Sequence, residues 1–321
     1  MKHRKLAAVL AACLLAVLVL TGCAESKTAR RLRFGVAGEG GVYHAFGEAF
    51  AALENETANG TVELKTTAGS AANLRLLGGE YLQLAIAQAD LAQDAANQAG
   101  IFADEEELRG FRAVAALYTE ACQIIVRADS DIQSVEDLQG KTVSIGAEES
   151  GSEQNAEQIL AAYGLNDKLV NTVNLNYEDA AAQLKTGKLD AMMITSGAPS
   201  EVVTELAGDC GIRLLQVDGA AAQRLLDAYS TYSAYTIPAG TYPGQNEDVQ
   251  TVGVKAVLLA SDELSAKQVQ QLTELLFANR EELEEQLGVA LDAEQDAVEG
   301  VGLPFHAGAA AYYKTVGITV D

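Results

Sequence analysis

The chain has few of the side chains that build metal and redox centres. Its 321 residues include three histidines and four cysteines, and no Cys-x-x-Cys or His-x-x-x-His spacing occurs. A zinc or redox centre needs several such ligands close together in space. The sequence therefore predicts neither a metal site nor a bound cofactor.

The cysteines also limit covalent cross-linking. Past residue 23 only Cys122 and Cys210 remain. An exported protein can pair two such thiols, but their long separation and the absence of a framework of spacings leave the pairing open. The sequence favours two buried free thiols over a disulfide.

Basic residues are scarce as well. Lysine and arginine number 22 against 45 aspartates and glutamates, which gives a formal net charge of −23. The acids are spread along the chain and do not form a tail. Such a surface repels phosphate backbones, so a nucleic-acid partner is excluded.

Signatures of common enzymes are missing too. The sequence has no Gly-x-Ser-x-Gly, no ordered Ser/His/Asp set, and no Gly-Lys-Ser/Thr following its glycine-rich turn at residues 35–43. Glu148 and Glu149 are adjacent, and adjacent acids rarely reach one cleft at the separation that glycoside hydrolysis needs. We therefore expect a protein that is not an enzyme.

The N-terminus carries the strongest local pattern. A basic cluster at residues 1–5 precedes an apolar run from Leu6 to Leu20, and Thr-Gly-Cys23 follows the run directly. As a helix this run is about 22 Å long, too short for a hydrocarbon core of ~30 Å, and no later run is apolar and long enough. The layout predicts a lipoprotein signal peptide over residues 1–22, lipid attachment at Cys23 and a tether over residues 23–31. The mature chain should work outside the cytoplasm, anchored to the cell membrane.

The rest of the chain alternates short apolar strands, polar turns and amphipathic helices. Tyr43, Phe46, Phe50 and Leu53 share one helical face. Ser134-x-x-Asp137 predicts a capped short helix. The alternation predicts an α/β fold with a mostly parallel sheet and helices on both faces. The predicted strands are 32–36, 62–66, 84–88, 112–117, 123–127, 142–145, 172–175, 191–194, 213–217 and 252–259.

Two places break the alternation. Strand 123–127 follows another strand with little room for a helix, and residues 236–250 hold prolines and glycines but no helical pattern. We interpret both as crossings between two lobes. Lobe 1 would comprise residues 32–124 and 254–321, and lobe 2 would comprise residues 125–253.

Polar turns follow five of the predicted strands. Each turn by itself is explained by helix capping. Ligands of open α/β sheets, however, bind at the carboxyl ends of the strands, so turns from two lobes together predict one site in the cleft. The five turns are 35–43, 66–73, 88–90, 146–153 and 195–197.

Several motifs in these turns and elsewhere resemble the TAXI solute receptors of TRAP transporters. The resemblance covers nearly the whole chain after the leader, and its most specific segment is Ile237-Pro-Ala-Gly-Thr-Tyr-Pro-Gly244. The other matching motifs are Phe34-Gly…Gly-Gly-Val-Tyr43, Thr67-x-Gly-Ser-x-x-Asn-Leu74, Ala85-x-x-Gln-x-Asp90, Val126-Arg-Ala-Asp-Ser130, Asp137-Leu-x-Gly-Lys141, Ser150-Gly-Ser-Glu153 and Asp218-Gly219.

The resemblance implies a two-lobed, periplasmic-binding-protein type II-like α/β fold with mixed parallel sheets and hinge crossings. It implies a receptor that closes on a small amino acid or carboxylate, similar to glutamate or glutamine, and delivers it to TRAP transporter membrane subunits. One wall of the implied site consists of Gly41, Tyr43, Ser70, Asn73 and Gln88. The opposing wall consists of Ser150, Gly151, Ser152, Glu153, Ser196 and Gly197.

The sequence departs from the family pattern at Val36, Glu39, His44 and Glu149. Two carboxylates near the cleft would repel a purely anionic solute. We therefore expect an amino acid rather than a plain dicarboxylate. Backbone N–H groups at a helix start would hold its carboxylate, and an acid or a carbonyl would hold its ammonium group.

Two other functions compete with the receptor. One is a surface-anchored serine hydrolase that uses Ser150 or Ser70 as nucleophile, with His44 as its base. The other is an adhesin or scaffold whose cleft is filled by apolar side chains. The many small polar turns disfavour the scaffold.

Overall fold

The computed structural model describes residues 31–57, 61–105 and 108–321. The predicted signal peptide, the lipid attachment at Cys23 and nearly all of the predicted tether lie outside the described residues. Within the described ranges, no helix combines the length and the apolar character that a membrane crossing requires.

The first part of the described chain alternates strands with helices. Its elements are β1 (Arg31–Val36), α1 (Val42–Thr57), β2 (Thr61–Thr66), α2 (Ser70–Gly78), β3 (Leu84–Gln88), α3 (Ala89–Asn97), a 3-10 turn (Gly100–Phe102) and β4 (Phe111–Arg127).

The second part continues the alternation and ends in helices. Its elements are a 3-10 helix (Val135–Leu138), β5 (Thr142–Ser144), α4 (Gly151–Ala162), β6 (Asn171–Val173), α5 (Tyr177–Lys185), β7 (Ala191–Ser196), α6 (Glu201–Cys210), β8 (Ile212–Leu214), α7 (Gly219–Ala228), β9 (Tyr232–Ile237), β10 (Val249–Ser261), α8 (Ala266–Ala278), α9 (Arg280–Leu287) and α10 (Ala307–Thr315).

The strands form one mixed sheet around two long antiparallel strands. The order is β2-β1-β3-β10-β4-β7-β5-β6, with β8 paired to β4 and β9 paired to β10. Pairs β1·β2, β1·β3, β5·β6 and β5·β7 are parallel, and every pair that includes β4 or β10 is antiparallel. The α/β class is confirmed, but the prediction of a mostly parallel sheet was wrong, because the two long central strands pair antiparallel with all their neighbours and only the outer parts are parallel.

Strand β4 corrects the sequence analysis. Separate strands were predicted at 112–117 and 123–127, but one strand of 17 residues spans both. The polar residues between them do not interrupt it, because the backbone from Phe111 to Ala121 pairs with β10 and the backbone from Ala121 to Val126 pairs with β7. Continuous pairing satisfies the backbone N–H and C=O groups, so β4 needs no turn.

Strand β9 was missed by the sequence analysis. It pairs with β10 from Ile237 to Tyr232, and three of its six side chains, Ser233, Ala234 and Thr236, are exposed. Because β9 has no neighbour on its other side in the sheet order, it lacks the apolar run that marks an internal strand.

The predicted capped turn at Ser134 is confirmed, with reciprocal hydrogen bonds between Ser134 and Asp137.

The two cysteines differ in their surroundings. Both are free thiols; Cys122 is buried in β4, but Cys210 is only half-buried. The expectation of a buried thiol at Cys210 was therefore wrong. Cys210 is the last residue of α6, where the helix ends at the surface and the side chain contacts backbone oxygens of Leu206 and Gly211.

Helix α1 packs on the sheet through the predicted face. Tyr43, Phe46 and Phe50 are buried, and Leu53 is half-buried at the edge of the same cluster. The ring of Phe46 stacks on Phe50 at 5.4 Å and meets Phe34 of β1 edge-on at 6.4 Å. Aromatic pairs of this geometry stabilise beyond their burial alone.

Substitution of Phe46 tests this packing. Phe46→Ala leaves a cavity between α1 and β1, so we expect the free energy of unfolding to fall by about 3–5 kcal/mol. Val316→Ala is the control, since Val316 is 45 % exposed and should change stability by less than about 0.5 kcal/mol. Urea denaturation of both variants measures the difference, and equal midpoints would contradict the assigned core.

Candidate ligand-binding site

A cavity of about 300 Å³ lies at the carboxyl ends of the strands. All five predicted turns contribute to its lining, so the sequence correctly indicated which loops come together. The lining residues are Ala37, Gly38, Glu39, Gly41, Val42, Tyr43, Thr66, Thr67, Ala68, Gly69, Ser70, Gln88, Glu120, Ala147, Ser150, Gly151, Ser152, Asn176, Tyr177, Thr195 and Ser196.

Most of the residues predicted for the site face this cavity. Those that line it are Gly41, Tyr43, Ser70, Gln88, Ser150, Gly151, Ser152 and Ser196. Three predicted residues do not line it, namely Asn73, Glu153 and Gly197. Each of these three has contacts that explain its position.

Asn73 is buried behind the cavity wall and hydrogen-bonds to three neighbouring segments. Its amide nitrogen donates to the carbonyl oxygens of Ile86 (2.8 Å) and Gly35, and its amide oxygen accepts from the Thr67 hydroxyl at 2.7 Å. The side chain thus ties the ends of β1 and β3 to the turn after β2. These bonds leave it no role in the cavity wall.

Glu153 and Gly197 also lie outside the cavity lining. The Glu153 carboxylate accepts from the backbone N–H of Glu149 at 2.8 Å and from the Asn174 amide at 2.7 Å, which fixes the loop before α4. Gly197 is packed against Val289, and a Cβ at Gly197 would lie 3.0 Å from it. Both residues support neighbouring segments.

Glu120 lies in the interior of β4 and lines the cavity, but it was not among the predicted site residues. It is 3 % exposed, and the Tyr43 hydroxyl donates to its Oε2 at 2.7 Å. Burial raises the pKa of Glu120 to about 8, and the nearby Asp90 acts in the same direction. The available signal was an acid inside an otherwise apolar strand, since such a residue is rarely buried without a specific partner.

Tyr177 was missed as well, and Thr195 belongs to a predicted turn but was not among the predicted site residues. The Tyr177 hydroxyl donates to the Thr195 carbonyl at 2.9 Å and lies 2.6 Å from the Ser152 hydroxyl. Ser152 Oγ also accepts from the Thr195 backbone N–H at 2.9 Å. The three residues therefore form a closed hydrogen-bonded wall between α4, α5 and β7.

The start of α4 presents free backbone donors to the cavity. Ser150 caps the helix by accepting from the Glu153 N–H at 3.1 Å. The N–H groups of Gly151 and Ser152 have no acceptor within the helix and none elsewhere in the described chain. With the positive end of the helix dipole, they form a surface suited to a carboxylate.

The start of α2 is different, because the protein itself occupies its donors. The N–H groups of Ala71 and Ala72 donate to the carbonyl oxygen of Glu149, at 3.1 and 3.3 Å. The Glu149 carboxylate also pairs with Arg75 at 3.2 Å. The loops before α2 and α4 therefore contact each other directly across the cavity.

The charged side chains that line the cavity are all acidic. Among the described residues that line the cavity there is no lysine, arginine or histidine, whereas Glu39 and Glu120 are acids. Glu39 is exposed at the rim and Glu120 is buried inside. Across the described ranges, no group of three or more His, Cys, Asp or Glu side chains is arranged to hold a metal ion.

The predicted nucleophiles of a serine hydrolase are held by backbone groups. Ser70 Oγ accepts from the Gln88 N–H at 3.1 Å, and Ser150 Oγ accepts from Glu153. His44 faces the Ala37 carbonyl oxygen at 3.4 Å. Within the described chain, neither serine has a hydrogen bond to a histidine, so the geometry does not favour a hydrolase.

The buried acids predict a pH dependence of stability. Burial raises the pKa of Asp90 to about 6 and that of Glu120 to about 8. The unfolded chain releases these protons near pH 4, so the folded state binds more protons and the free energy of unfolding falls as the pH rises to about 8.

Glu120 accounts for the part of this fall that extends toward pH 8, because its pKa is the higher of the two. We expect Glu120→Gln to flatten the fall between about pH 6.5 and 8, as measured by urea denaturation of the ligand-free protein. Parallel profiles of the variant and the wild type would contradict a protonated Glu120 in the folded state.

Known structures share this fold. The periplasmic binding protein BugD is 14 % identical, with 89 % of this chain and 95 % of that chain covered and a TM-score of 0.57. PhnD1 from Prochlorococcus marinus, in complex with methylphosphonate, is 11 % identical, with 89 % and 96 % covered and a TM-score of 0.55. A binding protein component of an ABC phosphonate transporter from Pseudomonas aeruginosa is 13 % identical, with 82 % and 80 % covered and a TM-score of 0.51. The fold is that of the periplasmic-binding-protein type II-like proteins.

A family model extends the likeness to sequence. The model described as the NMT1-like family matches residues 34–317, which is nearly all of the chain that the structure describes. The match includes both long central strands and every loop that lines the cavity. The chain belongs to the NMT1-like family.

Proposed function

We propose that this protein is a solute receptor that binds a small amino acid between two lobes and delivers it to a membrane transporter. The observation that carries the proposal is the cavity built from five loops, with a carboxylate inside and unpaired helix N–H groups on one wall. A zwitterion complements both features, since the carboxylate of the ligand suits the start of α4.

We propose the lobe boundaries at residues 32–124 with 254–321, and 125–253. The change of partner in β4 at Ala121, from β10 to β7, supports a boundary near that position. The packing supports it as well, because one apolar cluster draws only on the first lobe and another almost only on the second. The third cluster spans both lobes beneath the crossing strands.

The contacts across the cavity support a closed arrangement of the lobes. Besides the bonds to Glu149, the Asn155 amide of α4 donates to the Asp90 carboxylate of α3 at 3.0 Å. A ligand that touches both walls would add to these contacts and stabilise the closed state relative to an open one. Hinge bending would then occur where β4 and β10 cross.

The finer identity of the receptor is also part of the proposal. We assign it to the TAXI group, with TRAP membrane subunits as partners and a lipid anchor at Cys23 on the outer side of the membrane. The motifs that resemble TAXI receptors support this assignment, and so does the type II-like fold. The proposed ligand class is an amino acid similar to glutamate or glutamine.

A thermal-shift screen of amino acids and small carboxylates tests the proposal. A solute that binds only the folded state stabilises it by RT ln(1 + [L]/Kd), which is about 2.7 kcal/mol at a hundredfold excess over Kd. We expect at least one amino acid to raise Tm in a concentration-dependent way. If no amino acid or carboxylate shifts Tm while another solute class does, the ligand assignment is wrong.

Gly151 gives a test of lobe closure. A Cβ at this position would lie 2.1 Å from Oε1 of Gln88, on the opposite wall. Gly151→Ala should therefore displace the Gln88 side chain or hold the walls apart, and either change should weaken binding of the amino acid found in the screen by about tenfold or more, measured by calorimetry.

Gly208→Ala is the matched control for this variant. Gly208 lies in α6, and a Cβ there would meet no atom within 4 Å. Its affinity for the same amino acid should equal that of the wild type. Equal affinity of Gly151→Ala and the control would show that close contact of the walls is not needed for binding.

A further inference from the structure

We propose that Glu120 is the specificity-determining residue of the cavity: it pairs with the amino group of the ligand and restricts the receptor to amino acids whose side chains carry no negative charge. This inference rests on the proposed function and narrows its ligand class. It favours a solute similar to glutamine over glutamate, and it excludes dicarboxylates that lack an amine.

Glu120 has no positively charged partner among the residues that the structure describes. Its hydrogen-bond donors are the Tyr43 hydroxyl and the Gln88 side-chain amide, and both are neutral. The titratable groups that face it from the surrounding elements are all acidic or neutral. They are Tyr43 of α1, Asp90 of α3, Tyr118 and Cys122 of β4, and Tyr177 of α5.

A buried carboxylate of this kind is stabilised when a cation reaches it. Removing a charge from water is costly unless it is paired and hydrogen-bonded. Because no lysine, arginine or histidine among the described residues lines the cavity, an ionised Glu120 would take its counter-charge from the solute. An ammonium group supplies it together with three N–H donors.

Gln88 provides a second and independent acceptor. Its Oε1 is buried and has no hydrogen-bond partner, and the residue lines the same cavity as Glu120. Buried polar atoms without a partner are rare in folded proteins. One ammonium group can donate to Glu120 and to Gln88 at once, whereas a hydroxyl group can donate to only one of them.

The same lining disfavours a second carboxylate on the ligand. The backbone N–H groups of Gly151 and Ser152 can hold one carboxylate at the start of α4. An additional carboxylate would face Glu120 and the rim acid Glu39 with no cation to balance it. The cavity therefore suits a ligand with one positive and one negative group.

Ligand binding should also release a proton. Burial keeps Glu120 protonated at neutral pH in the empty cavity, and an adjacent ammonium group favours the ionised carboxylate. Affinity should then rise with pH up to about 8, by at most about tenfold per pH unit. Calorimetry in buffers of different ionisation enthalpy detects the released proton directly.

The experiment compares matched ligands on the wild-type protein. The probes are L-glutamine, its analogue without the amino group (4-carbamoylbutanoate), L-glutamate and glutarate, together with any other amino acid found in the thermal-shift screen and its analogue without the amino group. We expect each neutral amino acid that binds to do so at least about tenfold more tightly than its analogue. Glutamate should bind more weakly than glutamine by a similar factor.

The variant Glu120→Gln tests whether Glu120 causes the preference for ligands that carry an amino group. It should bind the amino acid and its analogue within about threefold of each other and release no proton on binding. Glu274→Gln is the charge-matched control, because Glu274 is exposed on α8 and does not line the cavity. The control should keep the wild-type preference.

The outcomes separate this inference from the proposed function. If no solute of any class binds, the receptor function itself is wrong. If solutes bind but the analogue without the amino group or glutarate binds the wild type as tightly as the amino acid does, Glu120 does not select an amine. Because the ligand comparison uses the wild-type protein, it remains decisive even if the variant fails to fold.

Discussion

The unbroken backbone pairing of β4 is the constraint on which the rest of the structure depends. This strand pairs with β10 along its first part and with β7 and β8 along its second part, so it joins the two halves of the sheet, β2-β1-β3-β10 and β7-β5-β6. A buried strand must satisfy its N–H and C=O groups along its whole length. Both halves are consequently built outward from one continuous ladder, and β10 crosses beside it with β9 and β3 as partners.

The location of the cavity follows from this arrangement. Where β4 changes partner, its side chains reach the space between the two halves, and the polar residues Glu120 and Gln123 lie near that point. Gln123 accepts from the Tyr242 hydroxyl at 2.6 Å, and the same hydroxyl accepts from the Ser200 backbone N–H at 3.0 Å. Tyr242 belongs to the most specific motif of the sequence, and its contacts show that this motif supports the wall near β7 from behind. The site therefore combines a polar strand interior with loops that the parallel strands bring to one edge.

Prediction from the sequence succeeded where the signal was local. The aromatic face of α1, the capped turn at Ser134 and the polar turn that leads into α4 all follow from spacing and capping within a few residues. It failed where side chains distant in sequence meet. Asn73 follows a turn that lines the cavity, yet its hydrogen bonds to Gly35 and Ile86 draw it behind the wall. Glu120 was not predicted because the predicted site residues all lay in turns, whereas Glu120 lies inside a strand.

The sequence by itself determined the fold class, the acidic character and the five loops that converge, because periodicity, charge and turn chemistry are properties of short segments. The tertiary structure alone decided that β4 is continuous and that the α2 amides bond to Glu149. It alone also brought Glu120 and Gln88 into one cavity that no cationic side chain of the described chain lines. These features depend on long-range pairing and on the burial of individual atoms, and the free energy of a buried charge is set by what surrounds it in space.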